Sequence, residues 1–292
     1  MISSEWQYKT NCNVPESCQL PRGLKRVAAI LSYNGKDFCG FQKQNHSPSL
    51  QEQIEKAFSY VANQKIIVSC AGRTDTGVHA THQVIHFDTS ADRTEENWLK
   101  GVNRELPDSI SLIWINKVSP HFHSRFSAIS RSYRYIILIQ RLKPVMLNHE
   151  LYWRDKPLLL DEMQRACGHL LGEQDFSAFR ASGCQSHSAY RNVKSANIMQ
   201  LNSFIIFDIT ANAFLLHMVR NIMGALISVG EGKNNSMWVK LLLRSKDRTL
   251  GPATAAPNGL YLVNVEYPER YQIPDLETVS YTHLTLPTKL SV

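Results

Sequence analysis

Apolar and polar positions along the chain repeat with a period that switches between two and 3.6 residues. These switches divide the sequence into predicted strands and helices. Residues 25–33 alternate as a strand and end at an Asn34-Gly35 turn. Ser49-Leu50-Gln51-Glu52 reads as a capping box that opens a helix, and Leu50, Ile54, Ala57, Phe58 and Val61 form its apolar stripe. A strand is predicted at 65–70 and another at 82–88. Thr94 caps a helix running through Leu106, with Trp98, Leu99 and Val102 inward, and residues 110–118 form the next strand. The order is β-α-β-β-α-β, a ferredoxin-like arrangement.

The same order recurs further along. It comprises a strand at 131–140, a helix at 159–171, strands at 192–200 and 203–210 about an Asn202-Ser203 turn, and a long apolar helix at 213–229. A shorter helix near 236–244 and a strand at 260–267 complete it. The expected fold class is therefore α+β, with two ferredoxin-like subdomains, 24–119 and 120–270, whose antiparallel sheets lie edge to edge and flank a central cleft. Only the element order repeats, not the residues. Residues 1–23 are polar, with Pro15 and Pro21 and no period, and are expected to form a flexible arm. The tail 271–292 becomes Thr/Leu/Pro-rich from about Asp275 and is left out of the expected fold.

Composition narrows the function. Apolar residues at 43% and charged residues at 20% suit an ordinary globular protein. No run of 18 apolar residues exists to span a membrane, and no secretion signal is visible, so a cytoplasmic protein is expected. Six cysteines without regular spacing read as reduced thiols rather than a disulfide or zinc framework. The net charge is +7, and residues 119–154 hold Arg125, Arg131, Arg134, Arg141, Lys143 and Arg154 against one acid, Glu150. Phe122, Phe126, Tyr133, Tyr135, Tyr152 and Trp153 are interleaved with them. A basic stripe with aromatics suits a phosphate backbone and unstacked bases.

The chemistry centres on Gly72-Arg73-Thr74-Asp75-Thr76-Gly77-Val78-His79-Ala80, a loop between two predicted strands. Gly72 and Gly77 are expected to supply unusual backbone angles. Arg73 and Asp75, two apart in extended chain, share a side and can meet. A carboxylate held ionised by arginine is a nucleophile or base; the alternative is a structural turn with a surface ion pair. Arg220 stands in an otherwise apolar helix and needs a partner, for which Asp75 across the cleft is the candidate. His79, His82 and His86 lack an acid or cysteine to complete a ligand set, so no metal is expected. No Walker or G-x-G-x-x-G motif indicates a nucleotide cofactor. A non-catalytic RNA-binding protein or RNA chaperone would explain the basic stripe, but leaves Arg73, Asp75 and Arg220 without a role.

Several stretches resemble the TruA family of tRNA pseudouridine synthases. They are Tyr33–Gln44, Gly72–Ala80, Asn103–Pro107, Phe122–Ala128, Arg131–Tyr135, Met218–Asn221 and Gly259–Leu262, in that order. Ser124 stands where alanine is usual and Gln174 where histidine is usual. The resemblance implies isomerisation of uridine to pseudouridine at positions 38, 39 and 40 of the tRNA anticodon stem-loop. It implies no cofactor, no metal and a homodimer in which each tRNA contacts both subunits. Asp75 would be the nucleophile and Arg220 its partner. Tyr133, with Leu260, would pack on the target uracil, and Arg73 would help flip the nucleotide. Phe122, His123, Ser124, Arg125 and Phe126 would assist flipping. Arg93, Arg125, Arg141, Arg154, Gly183, Cys184, Gln185, Ser186 and His187 would contact RNA.

Overall fold

The computed structural model describes residue 20 and residues 23–275. The expected arm, and the tail beyond Asp275, lie outside the described residues. In chain order the elements are β1 (Lys25–Tyr33), α1 (Leu50–Ala62), β2 (Ser69–Cys70), β3 (His79–Thr89), α2 (Glu95–Glu105) and β4 (Ile110–Lys117). They continue with β5 (Ser130–Ile139), β6 (Tyr152–Arg154), α3 (Leu160–Gly168), β7 (Gly172–Asp175), β8 (Tyr190–Leu201), β9 (Phe204–Ala211), α4 (Met218–Gly230), α5 (Ser236–Ser245) and β10 (Leu260–Glu266).

The local signals act as their chemistry dictates. Ser49 Oγ accepts the Glu52 N–H at 3.3 Å and so starts α1. Thr94 Oγ1 does the same for α2 through the Asn97 N–H at 3.2 Å. β1 departs from the expected alternation, because Val27 through Leu31 are all buried. It runs between β3 and β4, so both its edges are paired, and both its faces are covered. Along β3, Phe87 packs on Phe58 and Trp98 of the helices, while His86 and Asp88 meet Ser124 and Arg26.

Ten strands form one sheet in the order β4-β1-β3-β10-β5-β9-β8-β7, with β2 on β3 and β6 on β5. The expected edge-to-edge antiparallel sheets are thus joined into one continuous sheet. β10 closes the gap, running parallel to β3 (Tyr261 beside His79, Leu262 beside Ala80) and antiparallel to β5. Left apart, the β3 and β5 edges would each expose a row of unpaired N–H and C=O groups.

Two apolar cores flank this junction. One gathers the first half around Ile30, Ile54, Phe58, Phe87 and Val102. The other gathers the second half around Tyr135, Met163, Phe176, Phe207 and Leu226. Residues 271–275 were expected to fall outside the fold, yet Tyr271 is buried and packs on Phe122, with ring centroids 5.2 Å apart. α4 is the internal helix of the second half: every residue from Met218 to Gly230 is buried except Arg220. No described helix is long and apolar enough to cross a membrane.

Candidate active site

The loop between β2 and β3 lies over the seam between the two cores. Val78 is buried in the second core although its neighbours Ala71 and Ala80 belong to the first. Gly35 allows this arrangement, since a Cβ there would sit 2.0 Å from the Val78 carbonyl oxygen. The expected hairpin turn at Asn34-Gly35 is instead a close crossing beneath the loop. Gly77 does adopt a positive φ of 76°. Gly72 does not, which corrects that part of the glycine reading.

Further bonds hold the loop from below. Gln83, fully buried, donates to the Gly72 carbonyl at 2.6 Å and to Tyr33 Oη at 3.3 Å. Tyr33 Oη in turn bonds Thr74 Oγ1 at 2.8 Å, and the Phe41 N–H donates to the Thr74 carbonyl at 3.0 Å. The sequence does not announce Gln83, which sits in a strand as an ordinary polar residue.

Asp75 Oδ2 lies 3.1 Å from Arg220 Nη1 and 3.4 Å from His217 Nε2. The Asp75–Arg220 contact across the cleft is thus present. Arg220 Nε also donates to the Ala255 carbonyl at 2.9 Å, and the Ala255 N–H returns to the Arg220 carbonyl at 3.2 Å. Gly224, one turn on, lets that segment approach, because a Cβ there would lie 2.4 Å from the Ala253 carbonyl oxygen. Arg73 does not pair with Asp75 as the two-residue spacing suggested. Its guanidinium reaches Gln185 Oε1 at 3.3 Å instead.

These groups line a cavity of about 840 Å³ that also includes Tyr133, Leu260, Phe214, His123, Arg125, Phe126 and Gly183–Ser186. Tyr133 lies edge-on to Phe214, with centroids 5.1 Å apart. Burial raises its phenol pKa, and the Asp75 carboxylate raises it further. Phe126 is half exposed, and the Arg125 guanidinium sits 5.6 Å above its ring.

Not every expected contact residue faces the cavity. Phe122 and Ser124 are completely buried, so neither presents a surface to RNA. They hold the loop instead: Phe122 packs on Tyr267 and Tyr271, while Ser124 Oγ donates to the Ser69 carbonyl at 2.8 Å and meets His86 Nδ1 at 2.9 Å. That network uses the hydroxyl that alanine would lack. Gln174 likewise has work, donating to the His169 and Leu171 carbonyls. Arg154 is ion-paired with Glu231, which removes it as a free cation for phosphate. Arg93, Arg141 and His187 lie off the cavity lining.

The basic stripe is correspondingly shorter than the sequence suggests. Arg134 is buried against Asp208 at 2.7 Å. Arg131 is buried without a carboxylate and donates to four carbonyls, those of Ala71, Arg125, Ala128 and Asn212. It thereby ties the entry to the Asp75 loop, the Arg125–Phe126 loop and the end of β9 together. Arg131→Met leaves these acceptors without donors and should cost about 2–4 kcal/mol in urea melts. Arg131→Lys should recover only part of this, because an ammonium cannot reproduce the planar fork. Wild-type stability in both variants would contradict the clamp.

The histidines predict a pH response. Burial pushes His86 down to about 3 and His123 and His82 to about 4. Nearby cations, Arg26 for both His86 and His123, act in the same direction. Folded, these rings are neutral; unfolded, they take up protons below about 6.5. The unfolded state therefore binds more protons, and stability falls as pH drops from about 6.5 toward 4. Each ring contributes up to about 1.4 kcal/mol per pH unit inside that window. Denaturant midpoints at pH 6.5 and 5 should differ accordingly, and equal midpoints would refute it.

A carboxylate gripped by an arginine, beside a half-buried tyrosine, in a cavity lined by Arg73, Arg125 and Phe126, defines an enzyme site for a large polyanionic substrate. Comparison with known proteins agrees. The family model described as tRNA pseudouridine synthase matches residues 29–127 and 166–268. Proteins named tRNA pseudouridine synthase A are similar over most of their length. That of Francisella tularensis subsp. tularensis (strain FSC 198) is 48% identical over 84% of this chain and 95% of its own. Those of Enterobacter sp. (strain 638) and Pasteurella multocida (strain Pm70) are 49% and 51% identical, covering 86% and 85% of this chain and 93% and 94% of theirs. This chain belongs to the tRNA pseudouridine synthase family.

Proposed function

We propose that the protein converts uridine to pseudouridine at positions 38, 39 and 40 of the tRNA anticodon stem-loop, with Asp75 as nucleophile. The observation that carries this reading is the Asp75–Arg220 pair at 3.1 Å, joining a loop of the first half to the internal helix of the second. The guanidinium holds the carboxylate facing the cavity, where it can act as a nucleophile.

The reaction is an isomerisation. The bond from ribose C1′ to uracil N1 breaks, and its electron pair leaves on the base. The carboxylate holds the covalent intermediate while the base turns. A C1′–C5 bond then forms and the bond to the carboxylate breaks, the C5 proton is lost and N1 gains one. Nothing is oxidised or reduced, so the balance requires no oxidant or reductant.

A stem uridine must first leave its stack, at a cost of a few kcal/mol. Phe126, Arg125 and Arg73 are placed at the rim to offset that cost. Tyr133 and Leu260 offer the extruded uracil an apolar wall, and Gly183–Ser186 line the same cavity beside Arg73. Arg93 and Arg141, away from the cavity, are assigned to the tRNA body, in a homodimer whose two copies share each tRNA. The same reading treats 24–119 and 120–270 as ferredoxin-like subdomains. The matching strand orders β4-β1-β3-β2 and β10-β5-β9-β8, and the two separate cores, support it. A tRNA-modifying enzyme of this kind works in the cytoplasm.

Tritium at uridine C5 reports the reaction directly. Purified protein should release it from unmodified tRNA transcripts, one equivalent per pseudouridine formed, and chelators should leave the rate unchanged. tRNA binding without release would instead favour a non-catalytic RNA-binding protein. Affinity should also fall with salt. Neutralising Arg73, Arg125 and Arg141 together should flatten the log–log slope by roughly two units or more. An unchanged slope would place the phosphates elsewhere.

A further inference from the structure

We infer that His217 is a positioning residue for Asp75, a second donor that fixes the same carboxylate oxygen as Arg220 and leaves the other oxygen free to react. The inference rests on the reading of Asp75 as nucleophile. Two independent features support it.

The first is the backbone. His217 precedes α4 with φ 58° and ψ 8°, in the left-handed region. Residues at a helix start ordinarily sit in extended conformation and cap the helix with the side chain. His217 does neither, since its side chain makes no capping bond. A non-glycine residue held there carries strain that surrounding structure must maintain. The anchors are present: the Ala181 N–H donates to the Leu216 carbonyl, the Met218 N–H to the Leu215 carbonyl and the Asn221 N–H to the His217 carbonyl.

The second is where that conformation sends the ring. Nε2 stands 3.4 Å from Asp75 Oδ2, the oxygen that Arg220 Nη1 approaches at 3.1 Å. His217 and Arg220 are three apart, so they lie on the same side of the helix start. Among the described residues no donor approaches Oδ1. At 3.4 Å the ring is within reach of the carboxylate but outside hydrogen-bond geometry, and catalytic contacts that are long or poorly aligned without substrate often tighten once it is bound. With the histidine contact tightened, two donors on one oxygen would stop the carboxylate from rotating, and Oδ1 would keep its lone pairs for bond formation. The imidazole needs only a hydrogen on Nε2, so a neutral ring serves.

Substitutions separate donor from backbone. His217→Gly relaxes the left-handed strain but removes the donor. His217→Gln keeps an amide N–H at the reach of Nε2, and glutamine tolerates this backbone, as Gln272 does at φ 52°. Single-turnover rates on saturating tRNA, tRNA Kd and thermal midpoint are measured for both, with Asp75→Asn alongside. The expected result is a single-turnover rate about 10- to 100-fold lower in His217→Gly, with Kd within about twofold. His217→Gln should stay within about fivefold of wild type in rate. A His217→Gly enzyme that turns over like wild type, or a His217→Gln enzyme as slow as His217→Gly, overturns the inference. So does a loss confined to Kd or to thermal midpoint. If Asp75→Asn itself turns over, the nucleophile reading has failed. If Asp75→Asn is inactive while His217→Gly is normal, only the role of His217 has failed.

Discussion

Asp75→Asn should fold, bind tRNA and form no pseudouridine. The amide is nearly the same size and lacks only the charge and nucleophilicity that the reaction uses. The loop does not depend on the carboxylate for its shape. It is held by Gln83, Tyr33 and Thr74, by the Phe41 N–H, and by Val78 in the second core. Melting temperature should therefore change little, while the rate falls on the order of 10⁴-fold or more, as when a covalent nucleophile is removed. Single-turnover assays on saturating tRNA, with circular dichroism for the fold, check both parts. Appreciable turnover by a folded Asp75→Asn protein would contradict the role of Asp75.

Arg220→Ala should be the next most damaging change. The guanidinium is the principal charge partner of Asp75 and also holds the Ala255 carbonyl, so its loss frees the carboxylate and the 253–255 segment together. Removing a preorganised charged donor of this kind costs about 10²- to 10³-fold in rate. The effect on stability should be smaller than for a dry ion pair, because the Asp75 side chain keeps 22% of its exposure and water can take up part of the lost interaction. Arg220→Lys should recover little, since one ammonium cannot satisfy carboxylate and carbonyl in the guanidinium geometry. If Arg220→Ala loses tRNA affinity but keeps its rate on bound tRNA, the arginine is a phosphate contact and the pairing has no catalytic part.

The elements with strong local causes were legible in the sequence. A cap at Ser49, a cap at Thr94 and the stripes of the helices act within a few residues, so their ends follow from chemistry next to them. The reach of Arg220 to Asp75 was legible for a different reason: an arginine in an apolar helix is costly unless paired. The parallel pairing of β10 with β3 was not legible, because it depends on which edges remain free once both halves have formed. β7, with residues Gly172-Glu173-Gln174-Asp175, has no apolar alternation to betray it and exists through its partner β8.

Charge counting misled along 119–154. A sequence does not reveal that Arg134 meets Asp208, that Arg154 meets Glu231, or that Arg131 is consumed by four backbone carbonyls. Phe122 was misplaced for a similar reason, since an aromatic beside cations fits a core as well as a base stack. His217 went unnoticed because its contribution depends on a left-handed backbone angle, and histidine adopts that angle without a sequence signature.

The most direct test is site-resolved pseudouridine mapping by mass spectrometry of tRNA from cells carrying this gene, cells lacking it, and deleted cells supplied with wild-type or Asp75→Asn protein. Pseudouridine at positions 38, 39 and 40 should vanish on deletion and return with wild type but not with Asp75→Asn. Persistence of the modification in deleted cells, or its restoration by Asp75→Asn, would contradict the account.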